Sequence, residues 1–451
     1  MKHYDVLVAG AGASGLCAAV AAAREGARVL LAEQSGILGG SNTRSLVGPL
    51  MGFHAGKTQV VRGLAQEIVD RLARRGGTLG HLPDPLGVAS SITPVEPELL
   101  KQVDFELIRE QPNITLLLHA TLAGAEAQDG RIQHVTLLHK GGPEDFSAGV
   151  YIDATGDGDL AFHAGVPCTL GREADGLSQP MTMILKLGGV DFSAVRQAMR
   201  ERPDQFVLCD GWDRLPYVAV SGYFEEVRQA REEGLLTFPR DRVLLFQGVR
   251  PGEAVVNMSR IIDRSAVNAD DLTQAEMDGH AQADEILRFL RARVDGFQAA
   301  ELLETGSAVG VRESRHIRGI YTLTAEDILR SASFEDAVAV CAYPIDIHDP
   351  HGKALTWVKQ DPSACYDVPY RTLLPQGIDN LLVTGRCLSA THEAAASVRI
   401  TPTAMALGEA AGIAAAMAPD GTPARADVSA LQARLAERGA VPGKKYLKEM
   451  Y

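Results

Sequence analysis

The period of the apolar positions changes twice near the N-terminus. Residues 5–9 (DVLVA) form a short, apolar, β-branched run that predicts a buried strand. From Gly12 to Glu25 small and apolar residues continue as a helix, and Gly26 stops it. Residues 27–32 predict a second strand, closed by Glu33. Further on, Val60, Val61, Leu64, Ile68 and Leu72 mark an amphipathic helix over 59–73, ended by Gly76-Gly77. Residues 82–97 are a Pro-rich connection and 98–109 a helix. Residues 114–127 and 131–140 are strand-like and joined by Asp129-Gly130, a hairpin turn signal, and 146–154 is another strand. Between Val166 and Leu374 glycine-rich turns after strands become fewer and helical patterns longer, as in 281–294. Thr324 and Asp327 predict a capping-box helix start. Residues 380–384 form a last buried strand. Thr401 as N-cap and Pro402 in the first turn predict a small-residue helix over 403–417.

Gly10, Gly12 and Gly15 follow the first strand directly in G-x-G-x-x-G spacing, and Glu33 closes the second strand 18 residues past Gly15. The spacing suits a tight turn, close approach of a pyrophosphate and close packing of helix on strand. The helix N-terminus offers free N–H groups to phosphate, and Glu33 can accept both ribose hydroxyls. The segment 34–56 is a loop in which Gly39 and Gly40 let backbone approach a ligand, followed by Ser41, Asn42, Thr43 and Arg44. The run Asp153-Ala-Thr-Gly-Asp-Gly-Asp159 delivers backbone N–H groups and a carboxylate to a strand's C-terminal end. No second G-x-G-x-x-G follows a strand, so a separate nicotinamide-dinucleotide domain is not expected.

At 451 residues the chain can hold two sizeable cores, and 46% hydrophobic with 22% charged residues is ordinary for a globular protein. The formal charge of −13 disfavours a nucleic-acid partner. Six scattered cysteines without C-x-x-C give no iron–sulfur, zinc or dithiol signature. No uninterrupted apolar run is long enough for a membrane span, and Met1 leads almost directly into the first strand, so a cytoplasmic setting is expected.

Together the stretches VAGAGASG…E, GGSNT, EPELLKQV, DATGDGDLAFHAG, DGLSQPMT, RESRHIRGIYTLTAEDIL, YPIDIHDPHG, YDVPYRTLLP and NLLVTGRCLSATHEAAASVRITPTAMALGEAAG resemble FAD-dependent oxidoreductases. The likeness is to those sharing the fold of the succinate dehydrogenase and fumarate reductase flavoproteins, and it spans nearly the whole chain. It implies an α/β architecture: a Rossmann-like FAD-binding domain with a β-meander, discontinuous in sequence over 1–165 and 375–451, and an inserted α+β substrate domain over 166–374. It implies non-covalent FAD. Gly10, Gly12, Gly15 and Glu33 would hold the ADP half, with Ala120 on the adenine side. Gly40, Asn42 and Thr43 would line the flavin, Gly156 and Asp157 would complete the site, and Gly385, Arg386, Thr401 and Thr403 would approach the ring. Asn42 stands where membrane-bound relatives carry a flavin-linking histidine, and an amide cannot form that bond. The chain lacks the N-R-x-G-x-R-F-x-x-E stretch of the fumarate reductases.

The candidate catalytic groups fall in two runs. In 312–318, Arg312 and His316 are expected on one face of a strand-like stretch and Arg315 on the other. In 346–351, His348 and His351 flank a proline. Arginine suits a carboxylate substrate and histidine suits proton transfer near neutral pH. No metal is expected, because H-D-P-H lacks further nearby ligands. His54, His392 and Arg44, in the loops on the flavin side, rank behind these. The expected activity is oxidation or reduction at carbon of a small, anionic organic molecule, with a separate electron donor or acceptor. Flavin monooxygenases and halogenases share the first motif and form the alternative. A non-catalytic or RNA-modifying flavoprotein is a further one, and the charge of −13 speaks against RNA.

Overall fold

The computed structural model describes residues 1–350, 355–358 and 361–449. Strand β1 (Lys2–Ala9) feeds helix α1 (Ala13–Arg24), which returns to β2 (Val29–Ala32). Helices α2 (Leu64–Arg74) and α3 (Pro97–Arg109) precede β3 (Ile114–Leu117). A meander follows, built of β4 (Thr121–Gln128), β5 (Arg131–His139) and β6 (Gly142–Asp153). These strands make one sheet in the order β3-β2-β1-β6-β5-β4, and Leu381–Val383 adds to β6. β1, β2, β3, the second half of β6 and Leu381–Val383 run parallel. Ala9 is therefore level with Ala32 and Asp153, and Asp153 with Val383. The loops leaving those four strands all open at one edge of the sheet, where ligands bind in such folds.

The strand expected over 114–127 is two strands. His119 adopts φ 53 and breaks the run, and Ala120 N–H donates to the Glu33 carbonyl at 3.0 Å. The left-handed step redirects the chain from the parallel layer into the meander. The helix expected over 59–73 begins only at Leu64, after a Gly63 with φ 61, and Thr58–Gln59 is a short strand. Asp129 and Gly130 both take positive φ, as a tight hairpin requires.

A second sheet is wholly antiparallel. Its strands β7 (Leu185–Gly188), β8 (Ala219–Gly222), β9 (Val243–Gln247), β10 (Ala254–Val256) and β11 (Glu301–Thr305) lie in the order β8-β9-β10-β7-β11. The long helix α4 (Ala269–Arg293) packs on it, close enough that a Cβ on Gly279 would meet Met183 at 3.0 Å. This second core runs from Met181 to Val309. Residues 323–345 and 366–374, which the sequence assigned to the inserted domain, contribute instead to the first core. Lys186 on β7 joins the two units, bonding Glu96 at 2.8 Å and lying 3.2 Å from Glu253, all buried.

Helix α5 (Thr401–Met417) lies against α1. A Cβ on Gly408 would stand 2.0 Å from the Ser14 carbonyl oxygen, and one on Gly412 would stand 2.2 Å from that of Ala18. The two backbones touch because neither position carries a side chain. Among the described residues no single helix is long and apolar enough to cross a membrane.

Candidate active site

A continuous cavity of about 810 Å³ follows the C-terminal edge of the first sheet and ends against the second. At one end Glu33 and Ala120 line it. Glu33 Oε2 accepts from Ala11 N at 2.8 Å, and Oε1 accepts from Ser35 N and Oγ at 2.9 and 2.8 Å. Next come Gly10, Gly12 and Gly40. A Cβ on Gly40 would stand 2.7 Å from Gly12 Cα, and one on Gly10 would stand 2.5 Å from the Ala154 carbonyl oxygen, so this stretch is bare backbone. Helix α1 opens here with Gly12 as N-cap, no side-chain cap and no acid in its first turn. Gly156 and Asp157 face it from the loop after β6. Buried Asp153 holds that loop by accepting from Thr155 N, Thr155 Oγ1 and Ala161 N. Burial pushes the Asp153 carboxyl up to about 6 despite those donors. Arg386 binds the same loop at the Gly156 carbonyl and Asp157 Oδ1, and ties it to the Val311 carbonyl. Helix α5 also presents an uncapped N-terminus to the cavity. Ile400 is its N-cap, and Thr401, expected in that role, is its first residue.

The far end of the cavity is cationic. Arg240, Arg312 and Arg399 line it, together with Asn257, Tyr343, Asp346 and His348. Arg312 donates to the Pro180 carbonyl at 2.6 Å, to Thr182 Oγ1 and to Asn257 Oδ1 at 3.2 Å. Arg240 donates to the Asn257 and Arg242 carbonyls. Arg399 reaches Gln179 Oε1 at 3.3 Å, and its buried Nε has no partner. Burial, and then the nearby Arg260 and Arg399, press the Arg312 guanidinium well below its usual range. Burial acts on Arg240 in the same way, followed by Arg260. Burial alone would raise Asp346, but His348, Arg399 and Arg312 hold it well below the usual carboxylate range. His348 Nδ1 accepts from Arg260 at 2.5 Å and its Nε2 lies 3.4 Å from Asp346 Oδ2. Burial and Arg312 push its pKa well down, so the ring is neutral with its proton on Nε2.

A profile of the family described as FAD dependent oxidoreductase matches residues 5–435. The chain belongs to the FAD-dependent oxidoreductase family. No curated protein matches it. Among solved structures, a geranylgeranyl bacteriochlorophyll reductase-like protein from Thermoplasma acidophilum is 14% identical, with 97% of this chain and 84% of that one covered and a TM-score of 0.49. The p-nitrophenol 4-monooxygenase PnpA from Pseudomonas putida is 12% identical, covering 98% and 82%, with a TM-score of 0.46. The myxobacterial chondrochloren halogenase CndH is 12% identical, covering 97% and 79%, with a TM-score of 0.47. Identities this low say nothing about the reaction.

FAD is the family's cofactor, and the cavity fits it. The Glu33 carboxylate, the side-chain-free passage at Gly10, Gly12 and Gly40 with the uncapped N-terminus of α1, and the uncapped N-terminus of α5 match a ribose, a pyrophosphate and an electron-poor ring in that order. Ala120, Gly156, Asp157, Gly385, Arg386 and Thr401 line the same cavity. Four expected contacts do not. Gly15 sits behind the turn, where a Cβ would meet the Gly10 carbonyl oxygen at 1.9 Å, so it packs helix on strand. Asn42 is buried under the loop and donates to the Val47 carbonyl and Thr401 Oγ1. Thr43 turns inward to the Leu38 and Gly40 carbonyls, and Thr403 is buried without a partner for its hydroxyl.

The expected catalytic run 312–318 separates. Only Arg315–Ile317 is strand, so Arg312 lies ahead of the alternation and enters the cavity alone. Arg315 pairs with Asp159 at 2.8 Å and stacks over Phe162. His316 is buried and points to Glu313 at 3.2 Å. Neither lines the cavity, and Arg318 is exposed. His348 lines it, while His351 lies outside the described residues. Of the lower-ranked groups Arg44 lines the cavity and His54 and His392 do not. Sequence reasoning missed Arg240, Arg260 and Arg399. Arg399 alone carried a clear signal, a lone cation in the small-residue run SVRITPT, whereas Arg240 stands in the charged run RDR.

Proposed function

We propose that this FAD-dependent oxidoreductase oxidises or reduces a small anionic organic molecule at carbon. In this reading it works as a dehydrogenase or reductase of the succinate dehydrogenase and fumarate reductase type, on a substrate other than their dicarboxylates. The observation that carries the reading is the cationic end of the FAD cavity. There Arg240, Arg312 and Arg399 line the wall together with the carboxylate of Asp346, on which Arg399 and Arg312 act. Guanidinium groups keep their charge in proteins, and buried ones without enough counter-charge favour an anion strongly. Bound FAD supplies the two-electron chemistry, a hydride equivalent exchanged with a substrate carbon. The protein's own groups bind and orient. Arg312 keeps unused N–H donors for a two-pronged carboxylate contact. Tyr343 Oη donates to Asp346 Oδ2 at 3.3 Å, and burial followed by Asp346 raises its pKa, so it stays a donor across the physiological range.

The test is an anaerobic screen of organic acids against the FAD-loaded protein. Bleaching of the flavin absorbance reports substrate oxidation, and recolouring of dithionite-reduced protein reports substrate reduction. Arg312→Met should keep full FAD content and lose more than tenfold in rate with any acid that reacts. Equal rates in Arg312→Met, or reaction confined to neutral or cationic compounds, would refute the anionic substrate.

A further inference from the structure

The segment that leads into and through strand β9 lines the cavity, and the lining changes character along it. Leu244 and Phe246 share one face of β9, Arg240 and Arg242 lie in the irregular stretch that enters it, and all four line the cavity. Arg242 is neutralised by Asp241 at 2.6 Å, whereas Arg240 is buried and bonds only to carbonyls. The lining thus begins cationic and ends apolar. Leu244 and Phe246 pack with Met51 and with Leu86 and Val88 of the loop before α3, and these three line the cavity as well.

Resting on the anionic-substrate reading above, we propose that the substrate is an amphipathic organic acid. Its acid head lies among Arg240, Arg312 and Arg399, and an uncharged alkyl or aryl body lies along Leu244, Phe246 and Leu86. A polar or doubly charged body would leave its far end against side chains that cannot hydrogen-bond, which is costly. An apolar body gains from burial there, about fourfold in affinity for each methylene removed from water. The head alone would not use that wall.

The test is equilibrium binding to the FAD-loaded protein, read as the perturbation of the flavin spectrum by acetate, butyrate, hexanoate, octanoate, octanamide and succinate. Affinity should rise from acetate to octanoate by roughly fourfold per methylene until the chamber is full. Octanamide should bind at least tenfold more weakly than octanoate. Arg312→Met should weaken octanoate at least tenfold and leave octanamide unchanged. Leu244→Ser should flatten the length series without moving acetate. A flat series in the unaltered protein, or succinate binding more tightly than octanoate, overturns the apolar body while the anionic head stands. Octanoate and octanamide binding alike, with neither sensitive to Arg312→Met, overturns the anionic head itself.

Discussion

Glu313 Oε1 accepts from His392 Nδ1 at 2.8 Å, both residues buried, and so fastens the segment that carries Arg312 to the first residue of helix His392–Val398. The same oxygen faces His316 Nε2 at 3.2 Å, and Oε2 accepts from Gln179 N at 2.9 Å. Burial works to raise the Glu313 pKa, but the bonds from His316 and His392 and their charge draw it down from 4.5 to about 2. A depressed acid stabilises the fold above its unfolded value and loses that contribution as pH falls through the folded one. Stability should therefore decline between pH 4.5 and about 2 through this group. Glu313→Gln should cost about 3 kcal/mol at pH 7 and flatten that acid limb. Denaturant melts across the pH range check it, and superimposable limbs in the two proteins would sink it.

Asn42 uses its amide to tie the Val47 carbonyl to Thr401 Oγ1 beneath the flavin-side loop. An amide cannot link to the flavin, so FAD should leave the polypeptide on denaturation. Acid or heat followed by filtration should pass all the yellow colour, and colour kept on the protein would contradict the prediction.

Glu33 holds the glycine turn through Ala11 N and the following loop through Ser35. Glu33→Arg replaces an acceptor with a bulky cation at the ribose end. FAD occupancy, measured as flavin absorbance per protein, should fall severalfold, and an unchanged ratio would refute the assignment.

Glu409 on α5 is 2% exposed and accepts from Leu64 N at 3.0 Å, capping α2. Burial raises its carboxyl from 4.5 to about 7, and the Leu64 bond offsets this only in part. The folded chain keeps a proton there that the unfolded chain releases. This contribution is complete below pH 4.5 and is lost as pH rises to about 7. Glu409→Gln retains an acceptor for Leu64 and removes the titration. The variant should be more stable than the parent at pH 8, by on the order of 3 kcal/mol, and comparable at pH 5. Equal pH slopes in chemical denaturation would overturn this.

What could be read from the chain was what neighbouring residues decide. The turn at Gly10–Gly12, the close packing of Gly15, the Asp129-Gly130 hairpin and the capping box from Thr324 to Asp327 all rest on backbone conformation over a few residues. The cationic chamber was legible only at Arg312 and His348, because Arg240, Arg312 and Arg399 come from three separate segments brought together by the second sheet and the start of α5. The reverse also holds. Arg312, Arg315 and His316 are neighbours in sequence, but an irregular stretch before the short strand sends them into a cavity, onto Asp159 and into the core respectively. Periodicity applies only inside a regular element, and there was none at Arg312.

The touching backbones of α1 and α5 at Gly408 and Gly412 set an order in time. A nascent chain makes β1, α1 and β2 well before residues 401–417, which supply the surface that covers α1. At ordinary rates of translation the N-terminal nucleotide fold waits tens of seconds for its other half. Its small-residue helix is exposed to chaperones in the meantime. Cofactor loading is then an event that follows the synthesis of α5. A chain stopped before Thr401 should emerge without FAD and remain chaperone-bound, although every residue of the glycine turn is present.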